Sequence, residues 1–295
     1  MSHPLESVIR AAGTAIDPPA ARALYAPLWE NSPTGGSVER NLAYGEHARH
    51  VLDVYRPLGE APEGGHPVLI FLHGGGFIRG DKADRENFGR YFSRHGVLTI
   101  VPNYRLGPES HWPAGAEDAA AVFAWAREHV ARRGGNPQRI ILAGESAGAA
   151  HVAAASLIQR FHPAGGFNPA GVALISGVYN AGLELRARRQ FGVATPDPRN
   201  EAYFGADLAQ HAGMSTVDLV DAAPMRLFIS YAELDPPQMQ VQAGELFARL
   251  VTRHGYDPEI NVVPGHNHLS QVYAVNTGDE SLSATLLKFV RDQNS

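Results

Sequence analysis

Arg139-Ile140-Ile141-Leu142-Ala143-Gly144-Glu145-Ser146-Ala147-Gly148-Ala149-Ala150 joins two patterns at one point. Up to Ala143 the run is short, continuous and apolar, as in a strand buried on both faces. From Ala147 to Arg160 it is alanine-rich with helical periodicity. Between them, Gly144 to Gly148 fits G-x-S-x-G, a weak signal alone in a chain with 31 glycines. Position decides. A strand-turn-helix elbow is tight and strains its central backbone, so small residues must flank the serine. Such an elbow lifts a hydroxyl clear of the sheet and sets it at a helix N-terminus, where developing negative charge is favoured. Ser146 is therefore a candidate nucleophile. The competing reading is an ordinary turn with a helix-capping serine.

Outward from the elbow the same two patterns alternate. Val68 to Leu72, Leu98 to Val101, Ile140 to Ala143, Val172 to Ile175, Leu227 to Tyr231 and Ile260 to Val263 are short apolar runs. Ala114 to Arg132, Ala147 to Arg160, Gln238 to His254 and Ser281 to Asp292 are helix-periodic. Strand alternating with helix predicts an α/β fold with a mostly parallel central sheet flanked by helices. Val38 to Tyr44 and His50 to Tyr55 are expected as an antiparallel pair at its leading edge. Residues 1–36 read as helix pieces and turns. Residues 177–224 separate two strands by more than a usual connection. This insertion has helix-like patches at Leu183 to Gln190 and Asp207 to Met214, broken by Thr195-Pro196-Asp197-Pro198. Tyr179, Phe191, Tyr203 and Phe204 give it an apolar side. Residues 1–295 are expected as one domain, with 1–36 and 177–224 forming a cap.

His73-Gly74-Gly75-Gly76 follows the Val68 to Leu72 strand. Consecutive glycines let backbone N–H groups turn toward a small anion without side chains intervening; the bland alternative is a flexible turn. His73 reads as structural, bonded to neighbouring backbone. A serine hydroxyl needs a general base, and the base an orienting acid. After Leu227 to Tyr231 come Glu233 and Asp235, with Pro236-Pro237 stiffening the loop; Asp235 is preferred, and Glu233 reads as a solvated charge. After Ile260 to Val263 come His266 and His268, and spacing alone leaves either as the base. His151 reads as helix surface or packing.

The totals exclude other classes. Of 295 residues, 44% are hydrophobic and 19% charged, which does not fit disorder. The net charge is −5, and the short basic runs Arg132-Arg133 and Arg186 to Arg189 make nucleic acid an unexpected partner. Without cysteine there are no disulfides, thiolate metal sites or cysteine nucleophile. His266 and His268 would need further ligands nearby to hold a metal, and Asp235 already has a role; no Rossmann or P-loop glycine pattern follows His73, so no cofactor is expected. No apolar run approaches the roughly 20 residues needed to cross a bilayer. The first residues lack a basic-then-apolar leader. A cytoplasmic protein is the default expectation, and a mature secreted form the alternative.

Together these stretches resemble the hormone-sensitive-lipase-like carboxylesterases of the α/β-hydrolase fold. The resemblance is carried by Phe71 to Gly80 (FLHGGGFIRG), Asn103 to Glu109 (NYRLGPE), Trp112-Pro113 with Glu117-Asp118, and Gly144 to Gly148. Leu52 to Pro57 (LDVYRP) and Gly80-Asp81-Lys82 are also similar to the arylformamidase and feruloyl-esterase-like group. The resemblance implies Ser146 as nucleophile, Asp235 as acid and His268 as base, the last matching a Gly-x-x-His arrangement at Gly265 to His268. It places oxyanion donors at the N–H groups of Gly75, Gly76 and Ala147. Asp235-Pro236-Pro237 and Gly107-Pro108-Glu109 depart from the common Asp-Pro-Leu and Ala-Pro-Glu. Gly76-Phe77, in place of the aromatic pair more frequent in formamidases, tilts the expectation toward hydrolysis of short- to medium-chain esters through an acyl-enzyme. An arylformamidase or other amidase is the alternative, and a non-catalytic ligand-binding homologue is the alternative of another class. The expected partner is a small ester; monomer or homodimer is left open.

Overall fold

The computed structural model describes residues 5–183 and 199–292. One eight-stranded sheet organises them: β1 (Val38–Ala43), β2 (Val51–Tyr55), β3 (His66–Leu72), β4 (Leu98–Pro102), β5 (Gly135–Glu145), β6 (Gly171–Ile175), β7 (Leu227–Leu234) and β8 (Glu259–Asn267). Their order in space is β1-β2-β4-β3-β5-β6-β7-β8. β1 and β2 pair antiparallel, as do β2 and β4; every other pairing is parallel.

The continuous apolar runs have a plain cause. Val68, Ile70 and Leu72 of β3 enter one buried cluster, while Leu69 and Phe71 enter another on the opposite face. β5 divides the same way, with Ile140 and Leu142 on one side and Ile141 and Ala143 on the other. Side chains alternate across a strand, so a strand covered on both faces has no polar position to spare. Helices α4 (Ala114–His129), α5 (Ala147–Leu157) and α8 (Pro237–His254) cover the first face, and α3 (Glu86–Arg94) and α10 (Ser283–Arg291) the second.

The remaining helices are α1 (Glu6–Ala12), α2 (Pro18–Glu30), α6 (Arg199–Phe204), α7 (Thr216–Leu219) and α9 (Ser270–Tyr273). Outside the 177–224 insertion, the expected strands and helices are present among the described residues, with shifted ends. β5 starts earlier, at Gly135, because its polar leading residues pair irregularly with β3. α5 stops at Leu157, where Ile158 turns extended. Asp207 to Met214 is a 3₁₀ segment, Leu208–Met214, capped by the Asp207 side chain, rather than α-helix. The patch read at Leu183 to Gln190 falls, beyond Leu183, outside the described residues, as do Phe191 and Thr195 to Pro198. Tyr179, Tyr203 and Phe204 are buried. Among the described residues no helix is long and apolar enough to cross a membrane.

Candidate active site

Ser146 sits between β5 and α5 with φ +52° and ψ −120°, a conformation sparsely populated by residues other than glycine. The glycines on either side explain how the turn closes. A Cβ on Gly144 would lie 2.6 Å from the Gly148 carbonyl carbon, and one on Gly148 would lie 2.4 Å from the Leu72 carbonyl oxygen. Both contacts are with backbone that has nowhere to move. Ser146 N–H donates to the Ile175 carbonyl at 2.8 Å, fixing the elbow to β6.

β7 delivers Asp235, and β8 delivers His268 just beyond its last residue. His268 Nδ1 lies 2.6 Å from Asp235 Oδ1, and His268 Nε2 lies 3.0 Å from Ser146 Oγ. An ionised carboxylate only accepts, so Nδ1 carries the proton and donates it to Asp235. Nε2 is then free to accept from the Ser146 hydroxyl. Asp235 is fully buried and His268 nearly so. The two rivals face elsewhere. His266 Nδ1 approaches Ser270 Oγ at 3.1 Å, and its Nε2 approaches Asp279 Oδ2 at 3.1 Å. Glu233 is exposed and accepts from Arg10 Nη1 and Nη2, at 2.9 and 3.1 Å, and from Gly265 N–H at 2.7 Å. The Arg10 hydrogen bond and the Gly265 N–H hold the Glu233 carboxyl below its ordinary range.

The glycine run curls against the elbow. Gly74 N–H donates to Glu145 Oε1 at 2.8 Å. Gly75 and Gly76 have φ of +138° and +60°, and both line the cavity that contains Ser146. At Gly75 only glycine fits, since a Cβ would lie 1.9 Å from the Arg79 carbonyl oxygen. His73 Nδ1–H donates to the Gly74 carbonyl at 2.6 Å while its ring stacks on Tyr104. Burial pushes its pKa down to about 4, so it holds the loop as a neutral ring. His151 also packs rather than facing solvent, among the rings of Phe77, Tyr104 and Tyr203, and burial pushes it down to about 3.

The cavity measures about 490 Å³. Phe77, Val178, Met239 and Leu269 give it apolar wall; Arg22, Asp84, Arg85 and Glu145 give it polar wall. Ile16, Pro18 and Pro19 reach it from the N-terminal segment, and Arg199 and Asn200 from α6. Among the described residues no group of three or more His, Asp or Glu side chains could hold a metal ion.

Arg85 belongs to none of the quoted motifs, whereas the other supports, Asp53, Asp81, Lys82 and Asn103, come from them. Arg85, almost fully buried, donates Nε–H to Glu145 Oε1 at 2.6 Å and stacks its guanidinium over the Tyr273 ring. The Asp53 and Lys82 of the quoted motifs meet as a buried pair, Nζ to Oδ1 at 2.9 Å. Asn103 accepts Lys82 N–H at 2.6 Å and donates to Asp81 at 2.7 Å. These contacts anchor the segment that follows the glycine run.

Known proteins resemble this arrangement at two levels. The probable isoprenylcysteine alpha-carbonyl methylesterase ICMEL1 of Arabidopsis thaliana is 34% identical over 123 residues, which are 42% of this chain and 25% of that protein. The carboxylic ester hydrolase LipN of Mycobacterium tuberculosis is 41% identical over 103 residues, 34% of this chain and 26% of that protein. The chain thus spans about a quarter of the length of these relatives. Among solved structures, an esterase from Pyrobaculum calidifontis superposes with a TM-score of 0.73 at 20% identity, covering 98% of this chain and 97% of that one, a likeness of fold. A family model described as alpha/beta hydrolase fold matches residues 69–272, well over half of the chain. The chain belongs to the alpha/beta hydrolase fold family.

Proposed function

We propose that the protein hydrolyses carboxylic esters, with Ser146 as nucleophile, His268 as general base and acid, and Asp235 as the orienting carboxylate. The observation that carries this reading is the unbroken line Asp235 Oδ1, His268 Nδ1, His268 Nε2, Ser146 Oγ at the wall of a cavity. Ser146 Oγ attacks the ester carbonyl while its proton passes to His268 Nε2. The tetrahedral oxyanion is met by the N–H groups of Gly75, Gly76 and Ala147, donors fixed before the reaction starts. Collapse expels the alkoxide, which takes the proton from His268 and leaves as the alcohol. Water, deprotonated by His268, then releases the acid and restores the serine. The names of the two relatives point the same way. Residues 1–36 and 177–224 enter this reading as a cap, because both supply walls of the cavity.

The test uses a fluorophosphonate, which reports an activated serine. The wild-type protein is expected to gain one phosphonyl group, mapped to Ser146 by peptide mass, and Ser146→Ala to gain none and lose p-nitrophenyl butyrate turnover while remaining folded. Labelling elsewhere, or more than a few per cent of wild-type kcat in Ser146→Ala, would remove the assignment.

A further inference from the structure

We propose that Ser176 and Gln271 are positioning residues that lock the carboxylate of Asp235, an inference that rests on the triad reading above. Asp235 uses Oδ1 for His268, and its Oδ2 accepts Ala232 N–H at 2.8 Å and the Ser176 hydroxyl at 2.5 Å. The direction of the serine bond is set by its neighbour. Gln271 Nε2–H donates into Ser176 Oγ at 2.7 Å, so the single hydroxyl proton of Ser176 is directed to the carboxylate. Gln271 lies in α9, three residues beyond His268, and its Nε2 also approaches the His268 carbonyl at 3.3 Å. One buried chain of hydrogen bonds therefore ties the end of β6, the acid loop and the base loop together. With both oxygens held, the carboxylate cannot swing away from His268 Nδ1 when the imidazolium forms.

The backbone supplies a second, independent sign. Ser176 has φ +48°, in the left-handed region that glycine occupies at little cost and serine does not. The neighbouring residue is a glycine, so nothing about this turn demands a side chain at 176. A buried non-glycine residue persists there against its backbone preference, and its hydroxyl is what a glycine would lack. Neither Ser176 nor Gln271 lines the cavity of Ser146, so neither is placed to bind substrate directly.

These two features define an experiment that separates positioning from packing. Ser176→Gly deletes the hydroxyl and relieves the backbone at once. It is expected to unfold at or above the wild-type temperature, to lose kcat for p-nitrophenyl butyrate by about 10- to 100-fold, the scale of a hydrogen bond to a charged group, and to keep KM within about twofold. Its second-order rate of phosphonylation by a fluorophosphonate should fall in parallel, and Ser176→Ala should lose kcat to a similar extent. A folded Ser176→Gly with kcat within about twofold of wild type overturns the proposal. So does a loss of kcat that tracks a loss of thermal stability across the glycine and alanine variants. Ser146→Ala is measured alongside. Activity surviving there sinks the triad reading itself, whereas an inactive Ser146→Ala beside an unimpaired Ser176→Gly sinks the positioning role alone.

Discussion

Gly74 N–H donates to Glu145 Oε1 at 2.8 Å, so the side chain just before the proposed nucleophile grips the first glycine of the loop facing it. That carboxylate is buried, and Arg85, also buried, supplies its counter-charge. Removing one member of a buried ion pair leaves the other without compensation, at a typical cost of about 3–5 kcal/mol. Glu145→Ala is expected to destabilise the fold by that amount in urea titrations. A loss under about 1 kcal/mol would show that the pair is not the anchor of this loop.

The geometry around His268 makes a sharp mutational contrast. His268→Ala is expected to lower kcat by at least about 10³, and Asp235→Asn by about 10⁴, as losses of triad members do. His266→Ala and Glu233→Gln should each stay within about tenfold of wild type, because their side chains engage Ser270, Asp279, Arg10 and Gly265 rather than Ser146. Steady-state kinetics on one ester decide it: a larger loss in His266→Ala than in His268→Ala would reverse the assignment of the base.

Acid should unfold the protein partly through histidines that stay neutral in the native state. An unfolded histidine titrates near 6.5, whereas burial holds His73 at about 4 and His151 at about 3. Between those values the unfolded chain binds more protons, so stability falls as pH drops. The contribution is complete above about pH 6.5 and is lost progressively down to about pH 4 for His73 and pH 3 for His151, on the order of 3 kcal/mol for His73. Urea unfolding from pH 7.5 to pH 4.5 is expected to show this slope, and His151→Leu to flatten it by about one proton. An unchanged slope in the variant would mean that His151 titrates alike in both states.

The elbow and the sheet were open to a reading of the chain because their constraints are local. Strands buried on both faces read as unbroken apolar runs, and a serine between two glycines at a strand-to-helix junction is legible within twelve residues. Helix α3 is harder to foresee, since Gly89 in its middle reads as a break. In the structure that glycine lets the helix lie on the Tyr55 ring, 2.4 Å from where a Cβ would stand. Asp235 and His268 follow strands and are found once strand ends are placed, but His266 and His268 share a spacing that places both on one side of an extended chain. The Gly-x-x-His resemblance favours His268, and the three-dimensional path agrees, turning His266 to Ser270 and His268 to Asp235 and Ser146. Ser176 and Gln271 are 95 positions apart and belong to no quoted motif, and Gly74 and Glu145, each in a quoted motif, meet across 71 positions. Such partners are fixed by the sheet order, which no local pattern encodes.

Substrate choice follows from the two sides of the cavity. Phe77, Val178, Met239 and Leu269 form an apolar wall that an acyl chain can cover, within a volume of about 490 Å³. Each methylene buried there adds up to about 0.8 kcal/mol, or about fourfold in kcat/KM, until the wall ends. The expected profile for p-nitrophenyl esters rises from acetyl to butyryl or hexanoyl and falls sharply for long chains. N-formylkynurenine tests the formamidase alternative. Its formyl group has no chain to lay on the apolar wall, and its amide nitrogen leaves only with a proton from His268, whereas an alkoxide needs less help. It is expected to be turned over with lower kcat/KM than the best ester. A value well above that ester would show that the polar wall of Arg22, Asp84, Arg85 and Glu145 selects the substrate, and would assign the protein to formamide hydrolysis.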